Sequence, residues 1–271
     1  MLTLKMWAAI LGATLAMLAS TAISAAEKTM TKEQAFSGVT TLNFKSFSGD
    51  LRIEVGDVDQ VHLKLSGSPE QVESVRAALT GGALVVSGGK TTATVITANA
   101  NHVTVVATPG ATAQVVIGNQ KIEAGSQAQS PLRAQLQIPR GIPLNAERYV
   151  GDAVIGDLAA AIQVKLAAGQ MKFGKVTDAQ LAVEGSGDIE IERVAGNLAI
   201  DVEGGGDVRV KDGAIKRLTV DVKGSGDVSV GGRAEQARLS LVGAGDIEVA
   251  EVREKPVISN RGAGEISVGN W

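Results

Sequence analysis

Five acidic residues recur at nearly constant spacing in the C-terminal half of the sequence, and they are the side chains best placed to do chemistry. Asp188, Asp207, Asp227, Asp246 and Glu265 follow one another at steps of 19, 20, 19 and 19 residues. Residues repeated at a fixed period of this size stack into a column when each repeat forms one turn of a coil. A column of carboxylates can do one of two things. It can gather hard cations such as calcium, which want six or more oxygen ligands in one place. Alternatively, each carboxylate can accept hydrogen bonds from turn N–H groups and act as a structural device. Like charges ~4.8 Å apart repel by about 0.9 kcal/mol in water, so one of these must relieve the column. Calcium-binding glycine-rich repeats use nine residues with Asp two places after Gly. Here the period is about 19 and the acid directly follows glycine, which favours the structural reading and leaves the column a weak cation candidate.

Other chemistry is thinly provided for. The chain has two histidines, His62 and His102, and no cysteine, too few ligands for a zinc site. No Gly-x-Ser-x-Gly elbow occurs. The glycine-rich segments are not followed by Lys-Ser or Lys-Thr, as a phosphate loop would be. A polysaccharide-cleaving enzyme needs aromatic platforms, yet beyond the leader the aromatics are only Phe36, Phe44, Phe47, Tyr149, Phe173 and Trp271. Arg209, Lys211, Arg217, Lys223 and Arg233 form a loose basic patch that reads as a solvated face. No catalytic residue, cofactor-binding residue or cofactor is therefore assigned.

The elements that carry the carboxylates are written around them. Each acid closes a Gly-x-Gly corner, at Gly185 and Gly187, Gly204 and Gly206, Gly224 and Gly226, Gly243 and Gly245, and Gly262 and Gly264. These ten glycines are structural turn residues, because glycine permits φ > 0 and close stacking of corners. Ile189, Val208, Val228, Ile247 and Ile266 follow the acids directly. Ile191, Val210, Val230, Val249 and Val268 lie two further on. Before the corner come Leu181, Ile200, Val220, Leu239 and Ile258, then Val183, Val202, Val222 and Leu241, with Asn260 in the last copy. Period-two spacing sends all of these to one side. Glu184, Asp201, Glu203, Arg209, Asp221 and Lys223, between them, face water. The prediction is an all-β fold: a parallel β-helix, or β-solenoid, of about 19 residues per rung.

Upstream the pattern degrades. Tyr149-Val150-Gly151-Asp152 and Ala167-Ala168-Gly169-Gln170 lie 36 and 18 residues before Asp188 and read as two degenerate rungs. Ser48-Gly49-Asp50-Leu51 reads as an earlier copy. Residues 36–66 read as a β-meander. Ser68-Pro69-Glu70-Gln71 opens one short helix near residues 69–80, with Ser68 as cap, Gln71 completing a capping box, and Val72, Val75, Ala78 and Leu79 on one face. Gly81-Gly82 ends it. Leu84-Val85-Val86, Thr94-Val95-Ile96, residues 103–106, 115–117 and 132–138 are further strand candidates, and polar residues 123–130 read as a loop. Trp271 reads as a plug over the last rung, and the open edges of the terminal rungs call for a cap or an end-to-end partner.

Residues 1–25 read as a signal peptide: Lys5, then an apolar run over residues 6–17, then small residues to Ala25. Absence of cysteine excludes a cysteine-linked lipid anchor and disulfides. No second long apolar run exists, so no stable transmembrane segment is expected after the leader. A net charge of −3 with no basic block excludes nucleic acid as a partner. Aromatics are 3% of the chain and glycines number 33, which suits thin β-layers of Val, Ile, Leu and Ala.

The serial Gly-x-Gly-Asp rungs from Glu184 onward resemble the putative auto-transporter adhesin, head GIN domain family. So do Phe47-Ser48-Gly49-Asp50-Leu51-Arg52-Ile53, Gln60-Val61-His62-Leu63-Lys64-Leu65 and Leu84-Val85-Val86. The resemblance covers most of the chain after the leader, while residues 90–131 are longer than the family pattern. With the usual crossover rule, it implies a single-stranded right-handed parallel β-helix in an exported bacterial protein, and it supplies no catalytic residues. The expected organisation is a leader (1–25), an N-terminal β-rich part (26–140) and regular rungs (141–271) continuous with it. The expected function is a non-enzymatic, adhesin-like binding or surface-interaction module, periplasmic or on the cell surface, for a polysaccharide, a surface or an envelope protein. The alternatives are a carbohydrate-active β-helix enzyme and a cation-stabilised structural protein of the envelope.

Overall fold

The computed structural model describes residues 29–89, 96–99, 102–105, 112–117, 120–125 and 131–271. The expected leader, Thr94, Val95, Val106 and residues 126–130 lie outside the described residues. Seven consecutive rungs run from Leu144 to Asn270, each made of two short strands. The strands stack in parallel on two faces. On the first face Leu144–Val150, Ile162–Ala168, Ala179–Gly185, Leu198–Gly204, residues 218–224, residues 237–243 and Val257–Asn260 follow in order. On the second face are Ala153–Ile155, Gln170–Val176, Asp188–Val194, residues 208–210, residues 228–230, Ile247–Val252 and Ile266–Asn270. The expected β-solenoid is thus the fold.

Register follows the sequence period. Leu181, Ile200, Val220 and Leu239 pair in line, as do Ile189, Val208, Val228 and Ile247. All eight are at most 3% exposed. Burying each such side chain contributes about 1.5–3 kcal/mol, and neighbouring rungs share that burial. Asp50, Asp152 and Gln170 occupy the position of Asp188 in their rungs, so the earlier copies read from the sequence lie in the same column.

The N-terminal region is no meander. Thr41–Phe47 and Asp50–Gly56 do not pair with each other; they form a rung. Thr41–Phe47 stacks between Ala83–Gly88 and Leu144–Val150, and Asp50–Gly56 between Arg133–Pro139 and Ala153–Ile155, all in parallel. A meander would need each strand to bond to its sequence neighbour, and here the inward alternation of Leu42, Phe44, Leu51 and Ile53 is met by stacking instead. Residues 83–88 and 133–139 form the rung outside it, so the spatial order of the first rungs differs from chain order. Val61–Gly67 then runs antiparallel to Arg133–Pro139, and Met30–Phe36 antiparallel to Val61–Gly67, closing this end of the coil.

The expected short helix is present over Pro69–Ser74, with the Ser68 and Gln71 capping box formed. It ends before the apolar spacing suggested. Arg76–Thr80 is a strand that pairs antiparallel with residues 83–87, and Gly81 and Gly82 form the two-residue turn, both at positive φ. Two positive-φ residues define the hairpin turn that matches strand twist, so Gly81-Gly82 turns a hairpin instead of ending a helix. Ile96–Asn99 pairs with His102–Val105, and Thr112–Ile117 with Gln120–Gly125, as two hairpins. Residues 123–125, expected in a loop, belong to the second. No helix among the described residues is long and apolar enough to cross a membrane.

Candidate functional site

The acidic column is knitted into the rung stack. The backbone N–H of Asp207 donates to Oδ1 of Asp188 at 3.1 Å, that of Asp227 to Asp207 at 2.9 Å, and those of Asp246 and Glu265 to Asp227 and Asp246 at 2.8 Å. Gln170 N–H donates in the same way to Asp152 at 3.0 Å. The carbonyls of Asp207, Asp227, Asp246 and Glu265 accept from the residue after the acid in the preceding rung. The chain kinks at Gly-x-Gly, so the N–H that follows the kink has lost its strand partner, and the preceding carboxylate supplies one. Such charge-assisted bonds also place a donor dipole against each anion. Among the described residues no group of three or more His, Cys, Asp or Glu side chains could hold a metal ion.

Glycine is demanded here by proximity and by angle. Gly204 has φ 137°, a region closed to other residues. At Gly206 a Cβ would land on the carbonyl oxygen of Gly187 in the rung before it.

Two further carboxylate bridges between rungs, missed in the sequence, lie at the opposite corner, in different columns. Asp178 Oδ1 accepts from the backbone N–H of Asn197 at 2.7 Å and from its Nδ2 at 2.9 Å. Asp157 Oδ1 accepts from Lys175 N–H at 2.9 Å, and this bond, with the Lys175 ammonium, holds the Asp157 carboxyl below the usual carboxylate range. The signal was available: Asp178 and Asn197 are turn-favouring residues 19 apart, in phase with the repeat.

Three of the five basic residues read as a patch lie beside carboxylates of adjacent rungs. Lys211 Nζ lies 2.6 Å from both Glu190 and Glu192. Lys223 meets Glu203 at 3.1 Å, and Arg233 meets Glu251 at 2.7 Å. The Lys211 hydrogen bond draws the Glu190 carboxyl below its ordinary value and raises Lys211 in return. On the first face Asn43, Asn145, Gln163 and Gln180 stack in register as an amide column, also unread in the sequence. Trp271 does not plug the last rung: it is 68% exposed, with Lys255 Nζ 6.0 Å from its ring centre, and Ile258 of that rung remains 47% exposed.

Among the described residues a groove of about 550 Å³ lies where the N-terminal strands join the coil. Four strands present two in-register rows across it. The first row is Glu33, Lys64, Gln135 and Arg52; the second is Ala35, His62, Gln137 and Glu54. The charges pair among themselves, Lys64 with Glu33 and Arg52 with Glu54, each at 3.0 Å. The centre of the groove is left to His62 and the amides of Gln135 and Gln137. Phe44, Phe47, Tyr149 and Phe173 are all buried in the core. His102 lies in the strand His102–Val105, away in sequence from any of these residues.

A family profile described as "putative auto-transporter adhesin, head GIN domain" matches residues 45–270. No curated protein matches the chain. Among solved structures, one from Bacteroides fragilis described as a putative adhesin is 14% identical, with a TM-score of 0.57, covering 89% of this chain and 97% of its own. A putative adhesin from Parabacteroides merdae is 10% identical, with a TM-score of 0.46, covering 90% of this chain and 96% of its own. A putative cell adhesion protein from Clostridium sporogenes is 12% identical, with a TM-score of 0.37, covering 90% and 100%. The first of these likenesses supports the fold.

Proposed function

Since the chain belongs to the putative auto-transporter adhesin, head GIN domain family, we propose that it is an exported, non-enzymatic binding module that docks an uncharged, hydroxyl-rich polymer, a polysaccharide, along the groove of His62, Gln135 and Gln137. The observation that carries this reading is the charge arrangement of the groove. Its two cations are matched by its two anions, and the groups between them are amides and an imidazole, which donate and accept hydrogen bonds with neutral hydroxyls. With Phe44, Phe47, Tyr149 and Phe173 buried, no aromatic side chain among the described residues lines the groove to serve as the platform that a processive sugar-cleaving enzyme would use. The pairing of Glu54 with Arg52 leaves that carboxylate poorly placed as an acid or base. In this reading the coil is right-handed, residues 1–25 are removed on export, and residues 26–140 and 141–271 form one continuous domain.

Titration calorimetry against soluble bacterial and host-surface polysaccharides tests it, with a His62→Ala, Gln135→Ala, Gln137→Ala triple variant as control. Binding that the triple variant loses by tenfold or more supports the groove. Binding that the triple variant keeps places the ligand elsewhere, and release of new reducing ends from any polysaccharide overturns the non-enzymatic reading.

A further inference from the structure

The outward side chains of the first face change character along the coil. One outward column begins as amides, at Asn145, Gln163 and Gln180. Further along, the same column holds Thr219, Arg238 and Val257. At the corner beside it Asp178 and Asn197, which bond to each other, give way to Arg217 and Gln236. Leu218, Ala237 and Leu239 are buried between these positions. Alternation along the strands therefore turns Arg217, Thr219, Gln236 and Arg238 away from the core. With Glu254, Lys255 and Val257 of the next rung they line a groove of about 500 Å³. It opens sideways from the first face, not along the axis of the coil.

Its charges do not cancel. Lys211, Lys223 and Arg233 each meet a carboxylate of a neighbouring rung. Arg217, Arg238 and Lys255 form no ion pair among the described residues. Lys255 Nζ sits 6.0 Å from the centre of the Trp271 ring, a contact that leaves its charge in place. Glu254 is the one carboxylate on the described walls, and its Oε2 accepts from Gln236 Nε2 at 2.9 Å. Three cations thus face one anion, on a chain whose net charge is −3. In the groove of His62 two cations face two anions. A cleft with an excess of one sign concentrates ligands of the other.

The remaining walls narrow the class of ligand. Thr219 and Gln236 offer a hydroxyl and an amide, which bond to neutral hydroxyls. Val257, 59% exposed, offers an apolar surface to the C–H face of a sugar ring. A free phosphate ion uses neither. Exposed ion pairs are individually weak, so an open groove retains a ligand that carries several anions on one backbone. The guanidinium forks of Arg217 and Arg238 match the two oxygens of a carboxylate. We propose that this groove is a second binding site, for an acidic polysaccharide whose carboxylates pair with Arg217, Arg238 and Lys255. It lies in other rungs than the groove of His62, Gln135 and Gln137 and does not depend on what binds there.

Titration calorimetry with polygalacturonate fragments, the same fragments methyl-esterified, and single-stranded DNA of equal charge tests it. The unaltered protein and the His62→Ala, Gln135→Ala, Gln137→Ala variant are measured side by side, the second so that the first groove adds nothing. Both are expected to bind polygalacturonate, more weakly as salt is raised. In the triple variant the ester, which keeps the sugar backbone without the charge, is expected to bind at least tenfold more weakly. Adding Arg217→Gln and Arg238→Gln is expected to cost tenfold or more. Glutamine already stands in both columns, at Gln236 and Gln180, so the thermal transition should be kept. Adding Lys211→Gln and Lys223→Gln instead removes the same charge elsewhere on the coil and is expected to leave binding unchanged. Absence of polygalacturonate binding at low salt overturns the proposal. So does binding that survives loss of Arg217 and Arg238, an equal loss on removing Lys211 and Lys223, or an ester bound as tightly by the triple variant. DNA bound as tightly as polygalacturonate also overturns it, because the surface would then take any polyanion.

Discussion

Residues 41–56 and 144–155 wind rungs around Phe44, Phe47 and Tyr149, whereas the rungs from residue 179 to 252 are filled by Val, Ile, Leu and Ala. Both sets stack in the same two faces, but they reach the corner differently. In Thr41–Phe47 the inward residues are Leu42, Phe44 and then Phe47; in Leu144–Val150 they are Leu144, Ala146 and then Tyr149. The skipped residue in each is at positive φ, Ser46 at 48° and Arg148 at 50°, and the strand register shifts there. A bulge adds one residue and re-aims the next side chain, here turning a large ring into the core. Phe47 stacks on Tyr149 with ring centres 5.9 Å apart. The Tyr149 hydroxyl donates to Gly49 O at 2.7 Å, and burial drives its pKa well above the ordinary phenol value. The regular rungs carry no such anchor. Uniform small side chains and glycine corners let each rung lie flat on the one before it. The contrast teaches that one coil can be held by a few large, specific contacts at its closed end and by many equivalent small ones elsewhere.

The contrast is broken most sharply by Tyr149→Ala. Removing a fully buried aromatic side chain costs about 3–5 kcal/mol, and the Gly49 carbonyl loses its donor. Denaturant unfolding should show a loss of that size. A loss no larger than that of an interior valine would mean that the bulged rungs are no anchor.

On the regular side the sharpest probe is a pair of neighbouring glycines. Gly206→Ala pushes a methyl group into the Gly187 carbonyl, and overpacking of this kind costs about 1–3 kcal/mol. Gly205→Ala, at the middle corner position where other rungs have Ser186, Ser225, Ala244 and Ala263, meets only Ser225 Oγ at 3.4 Å and should be nearly neutral. Equal melting temperatures for the two variants would show that close stacking is not what the third corner position requires.

The same contrast explains what could be read from the sequence. Rungs that are all alike write their period plainly, so the corners of residues 185–265, the inward columns and the degenerate copies at Asp152 and Gln170 were legible. The N-terminal strands were recognisable one by one, because Leu51, Ile53 and Val55 alternate as any half-buried strand does. Their partners were not, because rung order departs from chain order there and pairing across 100 residues, as between Gly49 and Tyr149, leaves no periodic trace. Arg76–Thr80 was read as helix because Val72, Val75, Ala78 and Leu79 fit a helical face, while the decisive fact was the positive φ of Gly81 and Gly82. The groove escaped notice for a similar reason: His62, Gln135 and Arg52 are far apart in sequence and meet only through strand pairing.

The two kinds of corner acid differ in pH response. At Asp157 the Lys175 N–H lowers the folded-state pKa. A carboxyl depressed on folding adds stability above its unfolded pKa, near 3.9, and that stability is lost as the pH falls through the lower folded value. At Asp50 burial, and then Asp152, raise the pKa, so ionisation there opposes folding above the unfolded pKa and protonation relieves it as the pH falls. Asp157→Asn should therefore flatten the acid limb of the stability curve, and Asp50→Asn should steepen it. The same acid limb in both variants would remove the distinction.

The smallest expected effect is the most useful for the column itself. Each regular-rung carboxylate from Asp188 to Asp246 already holds an N–H of the next rung through Oδ1, so the repulsion that a bare column would suffer is met by fixed dipoles within the fold. A cation is then not needed to hold the rungs together, and it would find one oxygen per rung instead of the six or more that calcium prefers. Thermal melting in calcium and in chelator should coincide. A shift of several degrees between them would mean that the second oxygens converge on bound ions. Asp227→Asn, which keeps a carbonyl acceptor but removes the charge, would then abolish the shift, whereas for a purely structural ladder it leaves both melting curves where they were relative to each other.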